Sequence, residues 1–318
     1  MVFKRFFMTV MIASAVIVGG CVLTAVVVDE FGLFRSAKGR TIGIYTSERT
    51  AKYFLSLRYV PDNFDAILIG PSLSDQLDTR QISAYRMYNL SLLGANAVEL
   101  DLLVQNVLTR KAPKALLICI DPFLFRNAEL MDARMTPRIR WTVLGSSFIF
   151  DYYLKKYRKI FAGKRDLFEY TPFGSATINE QPVEVVRNVI EQRALKMAGE
   201  DNRLIIDPRA LEKLKHTIDV ARSNGTRIYA FFYPLPEPIR LIFSRHYGAF
   251  SEQMTKLFLP DDGILDFNTL KYKPFRDDPS NYVDNAHISH KGAKYLLTEL
   301  DRMMLEGRQR EALVGTPH

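Results

Sequence analysis

Four short apolar runs constrain this chain most: "AILIG" (66–70), "ALLICID" (115–121), "RIYAFFYP" (227–234) and "GILDF" (263–267). Each is too short for a buried helix and carries residues suited to burial on both faces of a parallel sheet. Amphipathic stretches at 95–110, 208–225 and 289–307 lie between and after them. In the second, Asp207 can accept from the first free N–H groups, Pro208 fits a first turn, and Gly225 permits a left-handed stop. Leu211, Leu214, Ile218 and Ala221 recur at spacings of three and four, which makes one buried stripe. Strands alternating with such helices predict βαβ units, hence an α/β three-layer sandwich around a central parallel sheet. We place this domain at residues 64–307, after a connector at 31–63 with a short helical stretch in "SERTAKYFLSLRY" and before a tail at 308–318. Residues 127–204 break the rhythm with aromatic and basic helical text, read as an insertion on the sheet's C-terminal edge.

The N-terminus adds a second constraint. From Phe6 to Val28 there is no charge, and at 1.5 Å per residue such a run crosses a hydrocarbon core of roughly 30 Å. Lys4 and Arg5 precede it, and Asp29 and Glu30 follow. The positive-inside rule then keeps the N-terminus cytoplasmic and sends the body to the periplasmic or extracytoplasmic side of the cytoplasmic membrane. A cleaved signal peptide has a shorter apolar core and a small-residue cleavage site, so residues 1–30 are expected to be an uncleaved single-pass anchor. "VGGC" at Cys21 hints at lipidation, but the apolar "VLTAVVV" behind it makes a poor mature start.

Two cysteines, Cys21 and Cys119, exclude a disulfide framework and a cysteine zinc site. The net charge is +8, much of it between Arg134 and Arg165. For a body tethered outside the membrane, the first anions met are lipids and envelope polymers, so no nucleic-acid partner is expected. The basic stretch reads as a solvated face near lipid headgroups, with a polyanion-binding groove as the alternative.

Candidate chemistry begins at "IGPSLSD". In an open α/β sheet, reactive groups collect beyond the C-terminal strand ends, where Ser72 stands. Ser72 and Ser74 equally suit a helix cap. A serine nucleophile needs a base. His318 ends the chain, while His216 and His246 lie in helical patterns. His287 differs, because Asp284 precedes it by three residues in a loop leading to the last helix. That spacing lets the carboxylate take the imidazole Nδ1–H and turn Nε2 outward as a proton acceptor. His290 reads as solvent-facing at the helix start. A metal on Asp284, His287 and His290 would want further ligands, and no cofactor is indicated.

Ser72 after the first strand, with Asp-x-x-His before the final helix, resembles the layout of the SGNH or GDSL hydrolase superfamily. Gly70-Pro71-Ser72-Leu73 resembles its Gly-Asp-Ser-Leu block, and Asp284-Asn285-Ala286-His287 followed by Gly292 resembles its terminal block. Gly94 in "YNLSLLGANAVEL" matches the glycine whose N–H helps to form the oxyanion hole. The resemblance implies an SGNH or flavodoxin-like fold, catalytic Ser72, Asp284 and His287, and oxyanion donors at Ser72 and Gly94. Membrane-anchored bacterial members of the superfamily include proteins of cell-envelope polysaccharide and teichoic-acid O-acylation. By that likeness the expected function is a serine esterase or O-acyltransferase acting on acylated envelope polysaccharide, with a membrane-bound O-acyltransferase or polysaccharide synthase as possible partner. The alternative is a non-catalytic scaffold of such a complex. Two departures stand out: Pro71 replaces the usual Asp, and "IDPFLFRN" stands where Gly-x-Asn-Asp should follow the strand ending near Asp121. No oxyanion asparagine is assigned there. The second "GSS", Gly145 to Ser147, has no preceding strand and falls in the wrong order.

Overall fold

The computed structural model describes residues 2–126, 132–162, 169–177, 180–200 and 203–314. Its centre is an all-parallel five-stranded sheet in the order β2-β1-β3-β6-β7, built from β1 (Ala66–Ile69), β2 (Met87–Asn89), β3 (Ala115–Ile120), β6 (Arg227–Phe232) and β7 (Gly263–Asp266). The two remaining strands, β4 (Glu169–Tyr170) and β5 (Ala176–Thr177), form a separate antiparallel hairpin.

Burial on both faces explains why the apolar runs are continuous. In β3, Leu116, Ile118 and Ile120 enter one core while Ala115, Leu117 and Cys119 enter the other. The first core is closed by the helices Glu48–Leu57, Ala97–Leu108 and Pro208–Ser223, through residues such as Phe54, Leu103 and Ile218. The second is closed mainly by the final helix His290–Val314, through Leu296, Leu297, Leu300 and Met304. Each fully buried side chain of this size contributes about 1.5–3 kcal/mol, so a three-layer arrangement is the natural way to satisfy such strands.

The boundaries follow local chemistry. Asp207 accepts from the Arg209 N–H and Pro208 opens the helix Pro208–Ser223. Asn96 and Glu99 form a reciprocal capping box at the start of Ala97–Leu108, a device worth about 1 kcal/mol.

Three elements differ from the sequence reading. Strand β2 is three residues long, too short to leave a periodic signal. The supposed connector is core, because Tyr53, Phe54 and Leu55 of the helix Glu48–Leu57 are wholly buried. The described part of 127–204 is not confined to one edge of the sheet. Its hairpin covers the exposed side of β2, where Phe173 O accepts from the Asn89 N–H. Its helix Val183–Ala198 instead sends Val186 and Ile190 into the second core.

Phe3–Val28 is long and apolar enough to cross a membrane, and its most apolar window is only 6% buried. The chain leaves that helix through Asp29, whose carboxylate accepts from the N–H groups of Leu33, Phe34 and Arg35. Lys156 Nζ donates to both oxygens of Glu30 at 2.7 Å, tying the helix Ser147–Ala162 to the same point. The chain then reaches the N-terminal edge of the sheet, where Asn63, three residues before β1, donates to Ala37 O and accepts from the Gly39 N–H.

Candidate active site

Strand β1 runs into Gly70, and the ladder continues beyond it, since Gly70 O accepts from the Leu92 N–H at 3.0 Å. A Cβ on Gly70 would lie 2.2 Å from Ser74 Oγ and 2.6 Å from Cys119 Cβ. Only glycine fits, because neither the short serine nor the strand behind it can retreat that far. The turn delivers Ser72 as the first residue of a one-turn helix, Ser72–Asp75. No side-chain cap hydrogen bond forms at its start. Ser74 Oγ donates back to Pro71 O and meets Ser91 Oγ at 2.8 Å. Ser72 Oγ is therefore spared from capping and lies 3.2 Å from His287 Nε2.

The imidazole comes from a tight loop between residues 281 and 289. Val283 N–H donates to His287 O, Ser289 N–H donates to Asn281 O, and Tyr282 bridges Ile288. Tyr233, just past β6, anchors this loop by accepting the Ile288 N–H at its hydroxyl. A Cβ on Gly292 would lie 2.2 Å from Asn281 O, so this glycine lets the final helix start against the loop. Asp284 Oδ2 lies 2.8 Å from His287 Nδ1, and Oδ1 accepts the N–H groups of Ala286 and His287 at 2.7 Å each. Burial pulls the Asp284 carboxyl upward, but the hydrogen bond and charge of His287 and the two loop N–H groups outweigh it. The net shift is below the ordinary carboxylate range. Asp284 thus stays ionised and fixes the ring with Nε2 toward Ser72.

Gly94 lies past β2 on the same C-terminal side, at φ +61°, where a Cβ would stand 3.9 Å from Arg49 Nη2. Among the described residues, neither the Ser72 N–H nor the Gly94 N–H has an acceptor. Unpaired backbone N–H groups beyond strand ends are the kind of donor from which oxyanion holes are built.

Behind these groups sits a charge cluster that the sequence reading missed. Lys52 is fully buried, donates to Asp75 Oδ1 at 2.6 Å and to Ser91 O at 2.5 Å, and lies 3.2 Å from Glu48 Oε1. Glu48 Oε2 accepts the Leu93 N–H, while Arg49 donates to Leu93 O and pairs with Glu99. One short helix therefore grips both the Ser72 turn, through Asp75, and the approach to Gly94. Burial, reinforced by the charge of Glu48, pushes the Asp75 carboxyl upward against the pull of Lys52. Asn89 completes the brace by donating to the carbonyls of Ser74, Asp75 and Leu77.

The third-block position is occupied by Asp121, which is 3% exposed at the end of β3. Its Oδ1 accepts the Phe123 N–H at 2.8 Å. Burial pushes its carboxyl up to about 6, opposed by that N–H and by the charges of Arg126 and His287. Asn127 lies outside the described residues.

The remaining candidates go elsewhere. His216 meets Asp101 at 3.0 Å on the helical layer, and His290 starts the final helix with its N–H on Glu180. Gly145 sits beside the N-terminal helix, where a Cβ would come 3.3 Å from that of Cys21.

No family model matches this chain, and no curated protein matches it. Among solved structures, a chain from Streptococcus pneumonia described as a candidate platelet activating factor is similar at 12% identity, with a TM-score of 0.43, over 81% of this chain and 91% of that one.

Proposed function

We propose that the chain is a serine esterase or O-acyltransferase that works through an acyl-serine, held by its N-terminal helix outside the cytoplasmic membrane and acting on acylated cell-envelope polysaccharide. The observation that carries this reading is the continuous line from Ser72 Oγ to His287 Nε2 at 3.2 Å and from His287 Nδ1 to Asp284 at 2.8 Å.

In the first half-reaction Ser72 Oγ attacks the acyl carbonyl carbon while its proton passes to His287 Nε2. Asp284 stabilises the imidazolium without taking the proton. The oxyanion forms facing the N–H groups of Ser72 and Gly94, each such donor being worth about 3 kcal/mol. Collapse breaks the bond to the leaving oxygen, which departs with the Nε2 proton and leaves the acyl group on Ser72. In the second half, water or a sugar hydroxyl attacks the acyl-serine and gives its proton to Nε2. The released acid or new ester frees Ser72 to recover that proton. Water as acceptor makes an esterase; a sugar makes a transferase. A tether and a basic, aromatic stretch at 134–165 favour a large envelope substrate over a diffusible ester.

Fluorophosphonate labelling of the full chain tests the reading. The native chain should label at Ser72, Ser72→Ala should not label, and His287→Ala should label at least about 100-fold more slowly. Labelling that survives Ser72→Ala would overturn it. Adding a sugar acceptor to an acyl-donor assay then separates the two classes by whether the product is free acid or a new ester.

A further inference from the structure

A second built site lies at the N-terminal edge of the sheet, where the chain emerges from its apolar helix. A crevice of about 1040 Å³ is lined there by Leu33 and Phe34 of the emerging loop, by Arg58 and Arg110 at helix ends, and by Arg140 and Trp141 of the 3-10 segment Pro137–Leu144. That is the size of a small-molecule site. Its charged lining consists of three arginines and no carboxylate. Arg110 is engaged by Asp62 through two hydrogen bonds, from Nε at 2.5 Å and Nη2 at 3.0 Å. The other two keep donors in reserve. Arg58 gives Nη1 to Leu33 O at 3.3 Å, and its buried Nε has no hydrogen-bond partner, standing 3.7 Å from the same Asp62. Arg140 uses Nε on the Tyr53 hydroxyl. One carboxylate against three guanidinia leaves two positive charges.

The surroundings are apolar on the side that faces out. Trp141 is 75% exposed and Phe34 40% exposed. The same segment reaches the N-terminal helix, because Gly145 follows it and abuts Cys21. Guanidinia backed by an exposed indole, beside a helix long enough to span a bilayer, combine phosphate recognition with the interfacial preference of tryptophan.

We infer that this crevice binds the phosphate headgroup of an anionic membrane lipid, with Arg58 and Arg140 on the phosphate and Trp141 against the upper acyl chain. The inference rests on reading Val2–Val28 as a membrane span, but not on the chemistry at Ser72.

Trp141 is the only tryptophan in the chain, so its fluorescence reports on this crevice alone. The full chain in neutral detergent micelles would be titrated with phosphatidylglycerol, phosphatidylcholine or inorganic phosphate. Phosphatidylglycerol should shift the emission to the blue at low mole fraction, while phosphatidylcholine and phosphate at equal concentration should not. Phosphatidylglycerol brominated on its acyl chains should quench Trp141. The double variant Arg58→Gln, Arg140→Gln should need at least about 10-fold more phosphatidylglycerol. Its fluorophosphonate labelling at Ser72, or its unchanged thermal transition if the native chain does not label, certifies that it is folded. An equal response to both lipids, displacement by inorganic phosphate, or the absence of quenching would each overturn the lipid assignment. If the variant does not fold, the quenching and lipid-selectivity arms on the native chain still decide.

Discussion

Among the described residues, two histidine–aspartate pairs have nearly the same geometry. His287 Nδ1 meets Asp284 at 2.8 Å and His216 Nδ1 meets Asp101 at 3.0 Å. The first is built within one loop, where backbone N–H groups hold the carboxylate. The second joins two helices, with Thr217 Oγ1 also donating to Asp101. What separates them is the outward nitrogen. His287 Nε2 faces Ser72 Oγ, whereas His216 Nε2 has no hydrogen-bond partner among the described residues and its side chain is half exposed. A charge-oriented imidazole is common surface furniture; a hydroxyl delivered to its free nitrogen by a separate part of the sheet is not.

The largest expected effect breaks this contrast at its first member. Asp284→Asn should lower kcat of ester hydrolysis by up to about 10⁴-fold, because the ring loses the tautomer that leaves Nε2 free to accept. Steady-state rates with a p-nitrophenyl ester measure it, and a loss under tenfold would remove Asp284 from the mechanism. Next is the brace that holds the Ser72 turn beside His287 through Lys52 and Asp75. Lys52→Met leaves Asp75 and Glu48 buried without their cation and should cost about 3 kcal/mol, read from thermal unfolding in detergent. A melting point unchanged from the native chain would mean that the cluster does not hold the turn.

A comparable effect concerns Asp121, which is within electrostatic reach of His287. Its carboxyl is raised by burial to about 6, so the folded chain holds this proton more tightly than the unfolded one. The resulting penalty is small near pH 4, grows as pH rises toward 6, and is complete above it. Asp121→Asn, which keeps an acceptor for the Phe123 N–H, should therefore stabilise the fold by about 3 kcal/mol at pH 7.5 and by under about 1 kcal/mol at pH 4. Equal gains at both pH values would refute the burial argument. The smallest effect belongs to the second pair. Asp101→Asn should cost about 1 kcal/mol from one weakened hydrogen-bond set and leave ester turnover within twofold.

Much of the architecture was legible because strands buried on both faces write continuous apolar words, and four of the five did so. The fifth, Met87–Asn89, could not, since three residues carry no period. Asp284 and His287 could be picked out because they sit three residues apart. The same locality hid the brace, as Lys52, Asp75 and Ser91 are distant in sequence and meet only when helix, turn and strand converge. One trace was available: Glu48 and Lys52 stand four apart on a helix face shared with Ala51 and Leu55. Such a pair is ordinarily solvated, and only tertiary packing turns it inward. Asp121 illustrates the converse, a residue in plain view at a strand end whose environment, not its identity, sets its proton affinity.

The chain joins its globular body at one end of the strands, and Ser72 opens at the other. Six residues of β3 alone separate these ends by roughly 20 Å. With Val2–Val28 embedded in a bilayer, the reactive hydroxyl would stand at a set altitude and look away from the lipid plane. On the proposed reading, acyl groups on phospholipids would lie beneath its reach, while polymers extending into the space above would pass over it. The tether would then act as a gauge that selects substrates by how far they protrude.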